Sequence, residues 1–156
     1  MTLEIGNTAP NFTAPINGGG ELSLSALKGQ AVVLYFYPKD STPGCTTEAC
    51  DFRDALPDFS KLNAKVIGVS KDSVKRHDNF IAKHELTFDL VADLDGEICE
   101  AYGVWVLKKL YGKEYMGIER ATFLIDTDGV VQRIWRKVKV KNHVSDVKAA
   151  LEELSS

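Results

Sequence analysis

Residues 31–37 read AVVLYFY, an unbroken apolar run of β-branched and aromatic side chains. Such a strand has no polar face to offer water, so it reads as a buried central strand covered on both sides. Residues 39–44, KDSTPG, break it with Pro and Gly. The fold must therefore supply partners for this strand from elsewhere in the chain.

Those partners can be read in order. Residues 64–70, AKVIGVS, form a second buried strand, and 88–93, FDLVAD, a short third one. Helical patterns lie between them. Residues 45–62 read as a helix interrupted at Pro57. Residues 73–86 read as an amphipathic helix with Val74, Phe80 and Ile81 inward. Residues 96–104 give a short helix ended by Gly103. Two strands flank Thr127-Asp128-Gly129, where Asp-Gly is a strong hairpin signal. Residues 144–156 close the chain as an amphipathic helix. The Gly triplet at 18–20 sits between two short alternating pieces and predicts an N-terminal hairpin. The core order is β-α-β-α-β-α-β-β-α. Crossover helices imply parallel strands and the late hairpin adds antiparallel ones. The prediction is an α/β fold: a mixed central sheet flanked by helices, with an N-terminal β-hairpin extension.

The chain's 156 residues fit one domain, 1–156, with no linker or repeat to divide it. A net charge of −3 leaves no basic footprint for nucleic acid. The Lys-rich piece Arg136 to His143 reads as a solvated strand end. No apolar run is long enough for a membrane span. The start, MTLEIGNTAPNF, lacks the basic and apolar regions of a signal peptide. Three cysteines, an odd number, fit a cytoplasmic, reducing location better than a secreted disulfide framework.

Two of the three stand close together in PKDSTPGCTTEAC, residues 38–50. Thr42 suits an N-cap and Pro43 the first helical position, where its missing N–H costs nothing. Cys45 then falls in the first turn, where free N–H groups and the helix dipole favour an anion. A thiolate is such an anion, so Cys45 is a candidate reactive thiol. The strand-loop-helix position also lies outside the carboxyl end of a central strand, where open α/β sheets put their sites. Cys50 lies five residues on. On one continuous helix the two Cα atoms would be roughly 8.6 Å apart. A disulfide needs them within about 7 Å, so the pair cannot bond while the helix is intact. Alone, Cys50 reads equally well as an inward-facing helix residue.

Pro38, Thr42 and Cys45 fit the Pro-x-x-x-Thr-x-x-Cys signature of peroxiredoxins. TPGCTTEACDFRD resembles the peroxiredoxin Q branch, also called bacterioferritin comigratory proteins. The likeness continues through IGVSKDSVKRHDNF, AYGVW and ERATFLIDTDG, and so covers nearly the whole chain. It implies a thioredoxin-like fold and a thiol peroxidase that needs no metal, haem or flavin. It implies that Cys45 is the peroxidatic cysteine, and that Thr42 contacts both the sulfur and the peroxide. Pro38 would shield the pocket from water, Arg120 would hold the thiolate and peroxide oxygens, and Glu48 would orient Arg120. Cys50 would be the resolving cysteine; other members resolve from a position near Ile81, which cannot serve. The implied substrates are hydrogen peroxide and alkyl hydroperoxides. The implied reductant is thioredoxin or a similar dithiol, and the implied state a monomer. A protein thiol-disulfide oxidoreductase and a peroxide-sensing redox switch are the alternatives.

Other residues carry no such role. Cys99 reads as a partly buried helix residue. His77, His84 and His143 are scattered, without the close Cys/His spacing of a zinc site. IDTDGVV begins like a calcium loop, but the twelfth position from Asp126 is Lys137 rather than Glu, so it reads as a hairpin turn. VWVLKKLYGKEYMG, residues 104–117, carries apolar side chains that read as a pocket rim or a contact surface.

Overall fold

A computed structural model describes residues 3–155. Met1, Thr2 and Ser156, the last belonging to the expected C-terminal helix, lie outside the described residues. The N-terminal hairpin pairs β1 (Thr13–Pro15) with β2 (Glu21–Ser23), antiparallel as expected. The buried run is β3 (Ala31–Phe36), followed by α1 (Pro43–Lys61), β4 (Ala64–Ser70), α2 (Val74–His84), β5 (Asp89–Ala92) and α3 (Glu97–Ala101). Next come β6 (Trp105–Leu110), β7 (Lys113–Ile118), β8 (Ala121–Ile125), β9 (Val131–Trp135) and α4 (His143–Ser155).

The main sheet has the order β5-β4-β3-β8-β9. β4 lies parallel to both β3 and β5, because α1 and α2 return the chain to the same end. β8 runs antiparallel to β3 and forms the Asp-Gly hairpin with β9. Every residue of β3 is buried, and its side chains divide by parity. Val32, Leu34 and Phe36 pack with Ile98, Cys99 and Tyr102 and with Ala14 and Leu22 of the N-terminal hairpin. Val33, Tyr35 and Tyr37 pack with Phe52 and Phe59 of α1, Phe80 of α2 and Val147 and Leu151 of α4. Gly68 of β4 makes this second layer fit. A Cβ there would meet the Leu90 side chain at 2.7 Å and the Tyr35 ring at 2.9 Å. On the same side a row of rings links two helices to the sheet edge. His143 stands perpendicular to Phe52 at 6.3 Å and edge-on to Trp135 at 5.8 Å.

Two expectations need correction, and the element order gains two strands. Pro57 does not interrupt α1, which runs for 19 residues. Pro57 is exposed, so the Arg53 carbonyl that loses its N–H donor can turn to water. In α2 the fully buried side chains are His77 and Phe80, whereas Val74 and Ile81 are only partly covered. Residues 104–117 are mostly the β6–β7 hairpin, a separate two-stranded sheet. Its turn residues Tyr111 and Gly112 both have positive φ, 51° and 79°, the pattern of a tight hairpin turn matched to strand twist. Trp105 fixes the hairpin's base, with the Lys71 ammonium 4.3 Å from its ring centre.

Candidate active site

The register of the sheet brings the site together. Ala121 pairs with Phe36, so Arg120, one residue earlier, reaches the end of β3 from which α1 departs. Thr42 is the N-cap of α1, with extended backbone, and its carbonyl takes the Thr46 N–H at 2.8 Å. Its hydroxyl does not cap the helix as expected. It donates instead to the Lys39 carbonyl at 2.9 Å, which turns the oxygen's lone pairs away from that bond. Pro43 occupies the first helical position, and Cys45 the third. By helix geometry the N–H groups of Gly44 and Cys45 have no partner within α1.

Cys45 is 2% exposed and packs in the layer with Ala49 and Phe52. One nitrogen of Arg120, Nη2, donates to Cys45 Sγ at 3.3 Å. The other, Nη1, donates to Glu48 Oε1 at 2.5 Å. Glu48 stands one turn after Cys45 on the same helix face, so a single guanidinium fork spans both. Gly44 leaves room for that fork, since a Cβ there would lie 3.2 Å from Arg120 Nη2. Glu48 is fully buried, and burial pushes its carboxyl up to about 7 although Arg120 pulls the other way. Its second oxygen has no hydrogen-bond partner among the described residues, and neither has the Tyr35 hydroxyl. Burial, with Glu48 and Cys45 nearby, raises the Tyr35 phenol well above its ordinary range. Lys108 of β6 borders the site: burial and the Arg120 charge push its ammonium down.

Of the six predicted site residues, the structure brings Cys45, Glu48 and Arg120 into direct contact. Thr42 and Pro38 lie on the loop just before Cys45, Pro38 exposed at the end of β3. Cys50 is partly exposed on the continuous α1, and all three cysteines are free thiols. Cys99 is completely buried rather than partly so. Asp126 does serve a turn: its side chain accepts the N–H groups of Asp128 and Val130. Sequence reasoning missed a buried cluster beside the loop, in which His77 Nδ1 meets Asp40 Oδ2 at 2.6 Å and Asp72 accepts the Asp40 N–H at 2.7 Å. Separations of 32 and 37 residues gave no local signal for it.

Residues 5–134 match the AhpC/TSA family. Peroxiredoxin Bcp of Bacillus subtilis is 54% identical over 155 residues, covering 99% of each chain. The chain belongs to this family, on its peroxiredoxin Q branch. Peroxiredoxin Bcp of Escherichia coli is 41% identical over 141 residues, or 90% of each chain. Among solved structures, the Xanthomonas campestris bacterioferritin comigratory protein, studied for its alkyl peroxide reduction, superposes with a TM-score of 0.91. It is 48% identical, covering 99% of this chain and 98% of that one. The fold of this peroxiredoxin is thus the thioredoxin-like one, and its activity that of a thiol-dependent peroxidase. Among the described residues no helix is long and apolar enough to cross a membrane.

Proposed function

We propose that this peroxiredoxin reduces hydrogen peroxide and alkyl hydroperoxides through Cys45, with Cys50 as the resolving thiol and a thioredoxin-type dithiol as the reductant. The observation that carries this reading is the Arg120 fork, 3.3 Å from Cys45 Sγ and tied to a buried Glu48. A permanently charged donor in that place lies against the sulfur that attacks. The thiolate attacks one peroxide oxygen in line, and the O–O bond breaks. The departing oxygen gathers negative charge, takes a proton and leaves as water or an alcohol. Arg120 and the free N–H groups of the first turn are donors fixed in advance for that charge. Thr42, its hydrogen committed to Lys39, has lone pairs left to accept the peroxide O–H. Pro38 covers the entrance.

Cys45 then carries a sulfenic acid. The Cys50 thiol gives up its proton and its sulfur attacks the Cys45 sulfur; the hydroxide that departs takes up that proton and leaves as water, and a disulfide forms. An intact α1 holds the two residues about 8.6 Å apart, beyond the reach of a disulfide, so its first turns must unwind. A disulfide formed at the cost of a helix start should be readily reduced by an external dithiol. The reading assigns the whole cycle to one domain, 1–156, acting as a monomer in the cytoplasm. A rapid-mix titration of the reduced protein with one equivalent of hydrogen peroxide, followed by peptide mass spectrometry, tests it. Fast loss of two thiols with a Cys45–Cys50 linkage is the expected result. Slow loss, or a linkage through Cys99, would overturn it in favour of a thiol-disulfide oxidoreductase or a redox switch.

A further inference from the structure

Outside the Arg120 site, Asp40, Asp72 and His77 form a buried polar cluster. Asp40 is 2% exposed and lies in the loop 38–42 that carries Pro38 and Thr42 into α1. Its side-chain oxygens and its N–H are all engaged. Oδ1 accepts from the Tyr37 hydroxyl at 2.5 Å, Oδ2 meets His77 Nδ1 at 2.6 Å, and the backbone N–H donates to Asp72 Oδ2 at 2.7 Å. Asp72 is held in turn by the Ser70 hydroxyl at 2.7 Å and by Arg76 at 3.0 Å. His77 is fully buried, and its Nε2 meets the Val91 carbonyl at 2.9 Å. The ligand atoms come close enough together for a metal ion, but they are already engaged with one another and with the main chain.

The hydrogen bonds fix the protons. A carbonyl can only accept, so His77 Nε2 carries a hydrogen. The Nδ1–Oδ2 contact must then hold one more, either as imidazolium and carboxylate or as imidazole and carboxylic acid. In both forms the pair is neutral overall and joined by a shared proton. Without that proton a lone pair would face a buried carboxylate, and the contact would open. This bond ties the loop to α2 through His77 and to β5 through Val91, and the Asp40 N–H bond to Asp72 ties it to the end of β4, where Ser70 holds Asp72. The next residue, Ser41, has φ +63°, an unfavourable conformation for a residue with a Cβ, and one that persists only where its surroundings hold it. The Thr42 hydroxyl bonds to Lys39, the residue before Asp40. Whatever fixes Asp40 therefore also fixes Thr42 and Pro38 relative to Cys45.

We propose that Asp40 and His77 form a positioning pair, which sets the active-site loop against Cys45 and stays closed when the first turns of α1 open. The second half rests on the Cys45–Cys50 reading; the first half does not. The rate of Cys45 oxidation, followed in single turnover in a Cys50→Ser background, tests the first half. Asp40→Ala and His77→Ala should slow it about 10- to 100-fold in protein that is still folded, the loss expected when a reacting group is misplaced by about 1 Å. Val147→Ala, a core truncation in α4, lowers stability without touching the loop and should leave the rate within about twofold. Asp40→Asn should regain most of the loss, because its amide can accept from Tyr37 and donate to a neutral His77. Unslowed oxidation in the folded alanine variants would overturn the pair's role.

Amide hydrogen exchange on the unmodified protein tests the second half, and it decides the matter if the alanine variants do not fold. In the peroxide-oxidised protein the amides of residues 46–50 should lose protection while that of Asp40 keeps it. Loss of protection at Asp40 together with residues 46–50 would overturn the proposal. If no Cys45–Cys50 disulfide forms at all, the proposed function fails, while the single-turnover measurement still decides the first half.

Discussion

Two cysteines of this chain occupy nearly the same local structure. Cys45 is the third residue of α1 and Cys99 the third of α3, and both are buried. Their surroundings differ in sign. At Cys45 the neighbour is the Arg120 guanidinium. At Cys99 it is the Asp93 carboxylate, which has already taken the N–H groups of Ile98 and Cys99 at 3.2 and 2.9 Å. Burial, reinforced by Asp93, drives the Cys99 thiol far above its ordinary range and keeps it protonated. A helix start is thus not what distinguishes the two thiols. What distinguishes them is whether the first-turn N–H groups are claimed and whether the group hydrogen-bonded at the thiol is a guanidinium or a carboxylate.

The contrast can be broken most severely at the sulfur. Cys45→Ser should lower kcat/KM for hydrogen peroxide by about 10³-fold or more, the scale for removal of a nucleophile, while Cys99→Ala should stay within about twofold. Steady-state peroxidase assays on both variants check this. Next comes the charge. Arg120→Met should cost about 10²- to 10³-fold in the second-order rate of thiol oxidation. It also leaves Glu48 buried without its partner, so the variant should melt earlier. Adding Glu48→Gln should restore the melting temperature but not the rate.

The buried carboxyl gives a pH signature of its own. Glu48 sits at about 7 in the folded chain against an ordinary 4.5. Folding therefore favours its protonated form. The stability this confers is complete below about 4.5 and is lost as pH rises towards 7. Glu48→Gln should flatten that decline, by at most about 3 kcal/mol, in urea unfolding measured on either side of the window. A smaller effect is expected from Gly44→Ala. A methyl group 3.2 Å from Arg120 Nη2 shifts the fork without removing it, and thiol oxidation should slow by about 3- to 10-fold. Smallest of all, Asp93→Asn should make Cys99 easier to alkylate while leaving the peroxide rate unchanged. An unaltered alkylation rate would mean that burial alone protects Cys99.

The Cys45 side of this contrast could be read from the chain; the Cys99 side could not. Thr42-Pro43 marked the start of α1 and the run 31–37 marked the central strand, because capping and apolar runs are local signals. Arg120 lies 75 residues from Cys45 and was legible only through the family resemblance. Asp93 and its grip on α3, and the Asp40–His77 pair, depend on loops that fold back, and nothing in their local spacing announces them. The β6–β7 hairpin escaped notice because Lys108 and Lys109 interrupt its alternation, and because Tyr-Gly is a weaker turn signal than Asn-Gly. Pro57 misled for the opposite reason. Its local rule is strong, but exposure on one face of a long helix softens the cost.

The row of rings from Phe52 through His143 to Trp135 has an optical consequence. Phe52 stands two residues beyond Cys50, where any unwinding of the helix start must stop or be felt. Trp135 is one of only two tryptophans in the chain, and its ring lies against the His143 imidazole, so its emission depends on where that imidazole sits. The other, Trp105, lies over Lys71 at the base of the β6–β7 hairpin, away from that row. On the proposed cycle, opening of the start of α1 would shift Phe52 and, through His143, the surroundings of Trp135, so Trp135 emission should change on oxidation while Trp105 serves as a reference, with no dye attached.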